Sequence, residues 1–161
     1  MLLLLASLIL FGCSSKKISE PIPDFRLLQL DEYLNRANAS YLDENYQEAI
    51  FLAEKALEVD PCNAIAYDIL GLVSMQNNHT EQALVYFWQS VRCNQNYFKG
   101  YLHLAGSYYL LGDYDMARKL FLKGFDINPV DEETNKMKRF FIEANLFDEQ
   151  DIFEQLRAKD F

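Results

Sequence analysis

A small residue recurs at one fixed interval through the middle of this chain: Ala49, Ala83 and Ala117 lie 34 residues apart, and Pro61, Gln95 and Pro129 keep the same step. A period of that length implies one supersecondary unit copied and stacked, each copy burying its apolar face on the next. In the best-preserved copy, Tyr101 to Pro129, the small residues Ala105, Ala117 and Gly124 fall where two antiparallel helices must approach closely. Tyr101, Leu104, Tyr108, Tyr114 and Phe121 supply the bulk around them, so the stretch is expected to fold as a helical hairpin.

The spacing Leu104, Ala105, Tyr108, Gly112, Asp113, Tyr114, Ala117, Phe121, Gly124, Pro129 resembles the tetratricopeptide repeat (TPR). The first copy fits at Glu44, Asn45, Tyr46, Ala49, Ala56 and Pro61. It departs at Arg36 and Ser40, where an apolar and an aromatic residue are usual. The second fits at Tyr67, Leu70, Gly71, Ala83, Phe87 and Ser90, with Asn77, Asn78, His79 and Thr80 replacing the Gly-Asp-Tyr turn and Thr80 offering a side-chain oxygen to start a helix. The resemblance implies an all-α solenoid of antiparallel helix pairs with about three repeats, at about 30–63, 64–97 and 98–131. After Pro129 the repeat positions are lost. Met137, Phe140, Phe141 and Ala144 behind a cap at Asp131, and Ile152, Phe153 and Leu156 within Glu149 to Ala158, predict carboxyl-terminal capping helices over 131–161. The domain is expected to occupy 26–161.

Residues 1–12, MLLLLASLILFG, form an apolar run that ends at Cys13 and is followed by SSKK. About 20 apolar residues are needed to span a bilayer, so the run suits the apolar region of a signal peptide. Leu10, Phe11, Gly12 and Cys13 resemble the bacterial lipobox. That resemblance implies a lipidated Cys13, with acyl chains such as palmitate, and Ser14 resembles the default outer-membrane sorting residue. The expected location is the bacterial cell envelope, anchored by lipid to the outer membrane and facing the periplasm. Residues 13–25, with Pro21 and Pro23 resisting helix, form a tether; roughly 12 residues at about 3.3 Å each reach up to ~40 Å from the anchor.

The chemistry of catalysis is sparse in this sequence. His79 and His103 have no partners at metal-ligand spacing, and there is no G-x-S-x-G, P-loop or glycine-rich dinucleotide turn. Glu132 and Glu133 read as a charged helix start favoured by the helix dipole. No cofactor, no metal and no enzymatic activity are expected. A net charge of -9 without clustered Lys and Arg disfavours nucleic acid.

Cys62 precedes the first helix of the second unit and Cys93 ends its second helix, so the two are neighbours in an antiparallel pair. Two readings stay open. In an oxidising compartment a disulfide would close a loop of about 30 residues and add ~3–4 kcal/mol in the chain-entropy model. Alternatively both are free thiols, since Cys93 falls where TPRs place a core aliphatic residue and free Cys packs as a small hydrophobe.

In TPR arrays the first helices of successive units line a concave groove. Carried over, the lining positions are Leu34, Asn38 and Tyr41, then Ile65, Asp68, Leu72 and Met75, then Lys99, Leu102, His103 and Tyr109. Of the carboxylate-clamp positions that hold chaperone tails, only Asn38 and Lys99 match, with Leu34, Ile69 and His103 at the others, so the clamp is not expected. A mostly apolar groove suits an amphipathic helix or extended segment of a protein partner. On the back, Trp88 and Leu122 are one period apart and form an apolar ridge that either contacts a partner or packs on neighbouring side chains. The expected function is a non-catalytic, lipid-anchored adaptor that helps assemble an envelope complex of the pilus or secretin type, as the layout resembles the pilotin lipoproteins. The alternative is a self-associating structural lipoprotein, a homo-oligomer whose groove is filled by its own chain or a second protomer.

Overall fold

A computed structural model of the chain describes residues 24–146. The amino-terminal apolar run, Cys13 and nearly all of the tether lie outside the described residues, as does the helix expected from Glu149 to Ala158. Among the described residues there are seven helices and no strand: α1 Asp24–Leu42, α2 Tyr46–Val59, α3 Ala64–Gln76, α4 Thr80–Cys93, α5 Phe98–Leu110, α6 Tyr114–Ile127 and α7 Glu132–Glu143. They form an all-α solenoid of antiparallel helix pairs, α1 with α2, α3 with α4 and α5 with α6.

The period seen in the sequence is a period of backbone conformation. Glu44, Asn78 and Gly112, each 34 apart, all adopt positive φ, at 59°, 59° and 79°. Each closes the first helix of its pair with the same bonds, for example Gly112 N–H donating to Tyr109 O and Asp113 N–H to Tyr108 O, both at 3.0 Å. Glycine takes this conformation without steric penalty, whereas Glu44 and Asn78 carry a modest one. Asn145, φ 56°, repeats the turn at the end of α7, with Leu146 N–H donating to Phe141 O at 3.0 Å. So α7 is built like the first helix of a pair although its TPR side-chain positions are gone.

Helix starts are less uniform. Asn63 and Asp113 accept from the amides of Ala66 and Met116, each at 3.1 Å, and Asp131 accepts from those of Glu133 and Thr134. The expected start at Thr80 differs in detail: Thr80 is the first helical residue, His79 holds the cap position, and no side chain accepts an amide there. The turn geometry holds this start instead, through His79 N–H on Ser74 O at 2.9 Å.

Close approach within a pair rests on small residues set against large ones. Ala49, Ala83, Ala105, Ala117 and Gly124 are buried, as are Phe87, Phe121 and Phe141. A methyl group on Gly71 would collide with the Phe87 ring, so α3 and α4 can sit at their spacing only because residue 71 has no side chain. The core runs as two clusters, one from Leu30 to Val73 between α1, α2 and α3, the other from Ala83 to Phe141 between α4 and α7. Arg36, in place of the usual apolar residue, points outward and pairs with Glu48 on α2 at 3.2 Å. Leu30, Leu34 and Ala37 do the burying in that first helix.

Of the two readings for the cysteines, the structure has the bridged one: Cys62, in the loop before α3, is joined to Cys93, the last residue of α4, with Cα atoms 5.1 Å apart. Cys93 is half-buried at the end of α4.

Two outcomes follow for stability. Gly71→Ala is expected to lower unfolding free energy by about 2 kcal/mol through overpacking, read by urea denaturation. Replacing both Cys62 and Cys93 by Ser should lower it by about 3 kcal/mol for a separation of 31 residues while leaving the far-ultraviolet helical signal intact.

Candidate functional site: the concave face

The first helices α1, α3 and α5, with α7, present one concave face, and two adjoining cavities open on it. One, of 270 Å³, is lined by Asn38, Tyr41, Ile65, Ile69 and Lys99 among others; the second, of 310 Å³, by Met75, Leu102, Tyr109, Leu110, Met137 and Phe140 among others. Leu72 and His103 line both, so the groove has a polar half and an apolar half that meet at those two side chains.

Most residues placed on this face by the sequence are brought together there: Asn38, Tyr41, Ile65, Leu72 and Lys99 in the polar half, Leu72, Met75, Leu102 and Tyr109 in the apolar half. Leu34 is not with them. It is 8% exposed and packs in the core between α1, α2 and α3. Leu102 is fully buried and forms the floor. Tyr41 is held in place by the Tyr46 ring, 6.0 Å away, and by Gln76, whose Nε2 donates to its hydroxyl at 3.2 Å. Tyr109 is packed by the chain's own α7, with ring centroids 5.0 Å from Phe140 and 5.8 Å from Phe141. The far end of the groove is thus walled by α7, while Leu110 and Phe140 keep exposed edges on its rim.

The ridge on the back is part of the packing. Trp88 and Leu122 are half-buried against the second core cluster, and Trp88 Nε1–H donates to the Tyr108 hydroxyl at 3.3 Å.

The centre of the groove holds a charge arrangement that the residue pattern alone did not reveal. Asp68 on α3 is 3% exposed. Its Oδ1 lies 2.7 Å from His103 Nδ1 on α5, and its Oδ2 accepts from the Tyr97 hydroxyl at 3.0 Å. On the opposite edge of the imidazole, Nε2 lies 3.0 Å from Oε1 of Glu133 on α7, whose Oε2 is 3.2 Å from Lys99 Nζ. A neutral imidazole has one N–H, and ionised carboxylates only accept, so satisfying both bonds requires the imidazolium. Burial on its own would push His103 down. The charge and hydrogen bond of Asp68, followed by those of Glu133, outweigh it and raise the ring from 6.5 to about 10. Glu133 moves the opposite way: its hydrogen bond to His103 prevails over partial burial and, with the charges of His103 and Lys99, lowers it to about 2. Tyr97 is held well above the usual phenol range by burial and by the Asp68 charge.

This cluster is not a metal site. The two ring nitrogens point in opposite directions, each already on a different carboxylate, and no group of three or more His, Cys, Asp or Glu among the described residues could converge on one ion. What it does is tie α3, α5 and α7 together through one buried cation.

Fold and groove define a helical-repeat protein with a grooved concave face. Residues 98–131 match the family model described as "Tetratricopeptide repeat". That segment is a tetratricopeptide repeat, and the stacked helix pairs around it have the tetratricopeptide-repeat fold. Among curated relatives it is 28% identical over 148 residues to human serine/threonine-protein phosphatase 5, covering 92% of this chain and 29% of that protein. It is 28% identical over 102 residues to the STIP1 homolog of Dictyostelium discoideum, covering 63% and 18%. The chain therefore spans less than a third of these relatives. Similar solved structures include the first TPR of Spaghetti (RPAP3) bound to an HSP90 peptide, SRMEEVD, with TM-score 0.63, 18% identity and 74% and 95% coverage. The Arabidopsis OM64 TPR domain is comparable, with TM-score 0.64, 15% identity and 74% and 98% coverage. At these identities the solved structures show the shared fold.

The charge cluster makes stability depend on pH with a definite sign. His103 is raised, so its contribution is complete below about 6.5 and is lost as pH rises through 10; Glu133 is lowered, so its contribution is complete above about 4.5 and is lost as pH falls through 2. Denaturation midpoints should therefore be highest near pH 5–6 and decline on the alkaline side, as urea titrations across pH will read. His103→Ala should cost about 3 kcal/mol at pH 6, because it strands the buried Asp68 carboxylate, and should flatten the alkaline decline.

Proposed function

We propose that this protein is a non-catalytic adaptor whose concave face holds an extended or helical segment of a protein partner by a bulky apolar side chain. The observation that carries this reading is the apolar cavity of 310 Å³ between Met75, Leu102, Tyr109 and Phe140, open on the inner face of a repeat array and continuous with a polar half that can orient a backbone. The tetratricopeptide repeat at 98–131, and neighbours of the same fold that hold HSP90 and HSP70 peptides, support a protein partner. Its likeness to phosphatase 5, whose length it spans by 29%, leaves room for no catalytic part of that enzyme to be inferred here.

The finer reading places the adaptor in the bacterial envelope, lipidated at Cys13, facing the periplasm and helping a larger envelope complex to assemble. Two features support it: the apolar run that stops at Cys13, and a disulfide, which persists in oxidising compartments. A single acyl chain anchors marginally and several chains hold stably, so a fully acylated Cys13 would keep the domain at the membrane surface. Mass spectrometry of the protein purified from membranes should then find an amino-terminal, acylated Cys13; an unmodified Cys13 behind an intact leader would contradict this location.

The groove is tested by photo-crosslinking in native cells with the probe at Met75 and, separately, at Val85, which is exposed on α4. Adducts with a different protein from Met75 and none from Val85 are expected. Adducts only with a second copy of the chain would replace the adaptor by a self-associating protein, and adducts from Val85 alone would put the contact on the other face.

A further inference from the structure

The cation pair on the concave face is filled by the chain itself. Lys99 and His103 stand one helical turn apart on α5 and converge on one carboxylate, Lys99 Nζ at 3.2 Å from Glu133 Oε2 and His103 Nε2 at 3.0 Å from Oε1. Each oxygen takes one cation, which is how a bound anion would be held. The first turn of α7 is fixed for this by its cap, with the Glu133 amide donating to Asp131 Oδ1 at 2.9 Å. The adjacent Glu132 turns away to Lys136 at 2.7 Å, so only one of the two neighbouring carboxylates enters the groove. With Asp68 on the other edge of the imidazole, two cations face two anions and the charges at the centre of the groove cancel.

We propose that Glu133 is a specificity-determining residue: an internal carboxylate that occupies the Lys99–His103 pair, so that the groove discriminates against acidic segments and selects neutral ones through the apolar half. This rests on the concave face being the protein-binding site. An incoming carboxylate must either displace one that is tethered to the same fold, at an effective concentration on the order of millimolar or above, or settle beside Glu133 and Asp68 with like charge. A neutral segment meets neither obstacle, because the apolar cavity adjoins the charged centre only at Leu72 and His103.

The test uses the full chain and one probe in two forms, N-acetyl-Leu-Phe with a free carboxyl terminus and the same dipeptide as its amide, titrated by nuclear magnetic resonance. The wild type is expected to bind the amide about tenfold more tightly than the acid. In Glu133→Gln the acid should gain about tenfold and the amide should not change, and adding Lys99→Gln should remove that gain. Circular dichroism and a cooperative melt verify that each variant folds, and Glu133→Ala provides the same comparison in a second background. An acid-to-amide ratio that is the same in wild type and Glu133→Gln overturns the proposal. So does an equal gain for both forms, which would mean that Glu133 merely props α7 against the array. If neither form binds either protein at millimolar concentration while the fold is intact, the concave-face reading fails, and the proposal with it.

Discussion

Everything in this fold depends on how closely the two helices of a pair can lie. Alanine at 49, 83 and 117 and glycine at 71 and 124 remove side-chain bulk from the contact; Phe87 of α4 fills the space at Gly71, and Leu102 and Tyr101 of α5 lie against Gly124. Because the same contact recurs every 34 residues with the same left-handed turn, each pair is placed on the last by the same rotation, and a concave face is the geometric consequence. The disulfide from Cys62 to Cys93 fastens the open end of the middle pair, opposite its turn.

That concave face is kept in shape by electrostatics as well as packing. A buried imidazolium between two carboxylates repays its desolvation only when every polar atom around it has a partner, and here Tyr97 and Lys99 complete the set. The arrangement spans three helices of three successive units, so it fixes their spacing at the groove. The apolar half stands beside it, with Met75 and Met137 as adaptable side chains around a cavity of 310 Å³.

The repeat spacing made the helix pairs and the lining of the groove legible, because both follow from which positions must be small and which face inward. Leu34 was misplaced on the groove because the first pair is divergent: with Arg36 turned out to Glu48, the helix uses Leu30, Leu34 and Ala37 as its buried stripe. Glu133 was the larger miss. Read along the chain, Glu132 and Glu133 are both acidic residues at a helix start, and only the packing of α7 on α5 separates them into one that meets Lys136 at the surface and one that meets His103. A signal did exist, since Asp68, Lys99 and His103 were all placed on one face and two cations beside one buried anion call for a second anion. The bridge between Cys62 and Cys93 could be posed but not decided from spacing, since adjacency in a helix pair permits either state.

The joining of α3, α5 and α7 at the groove turns on the charge of one side chain, His103. Nitrogen-15 chemical shifts of the His103 ring, followed from pH 5 to 10, report its protonation state without reference to any partner. A ring that keeps both nitrogens protonated at pH 8, with its transition near 10, is the result expected for an imidazolium held between Asp68 and Glu133. A transition near the ordinary 6.5, with a neutral ring at pH 8, would contradict it, because a neutral ring can donate to only one of the two carboxylates.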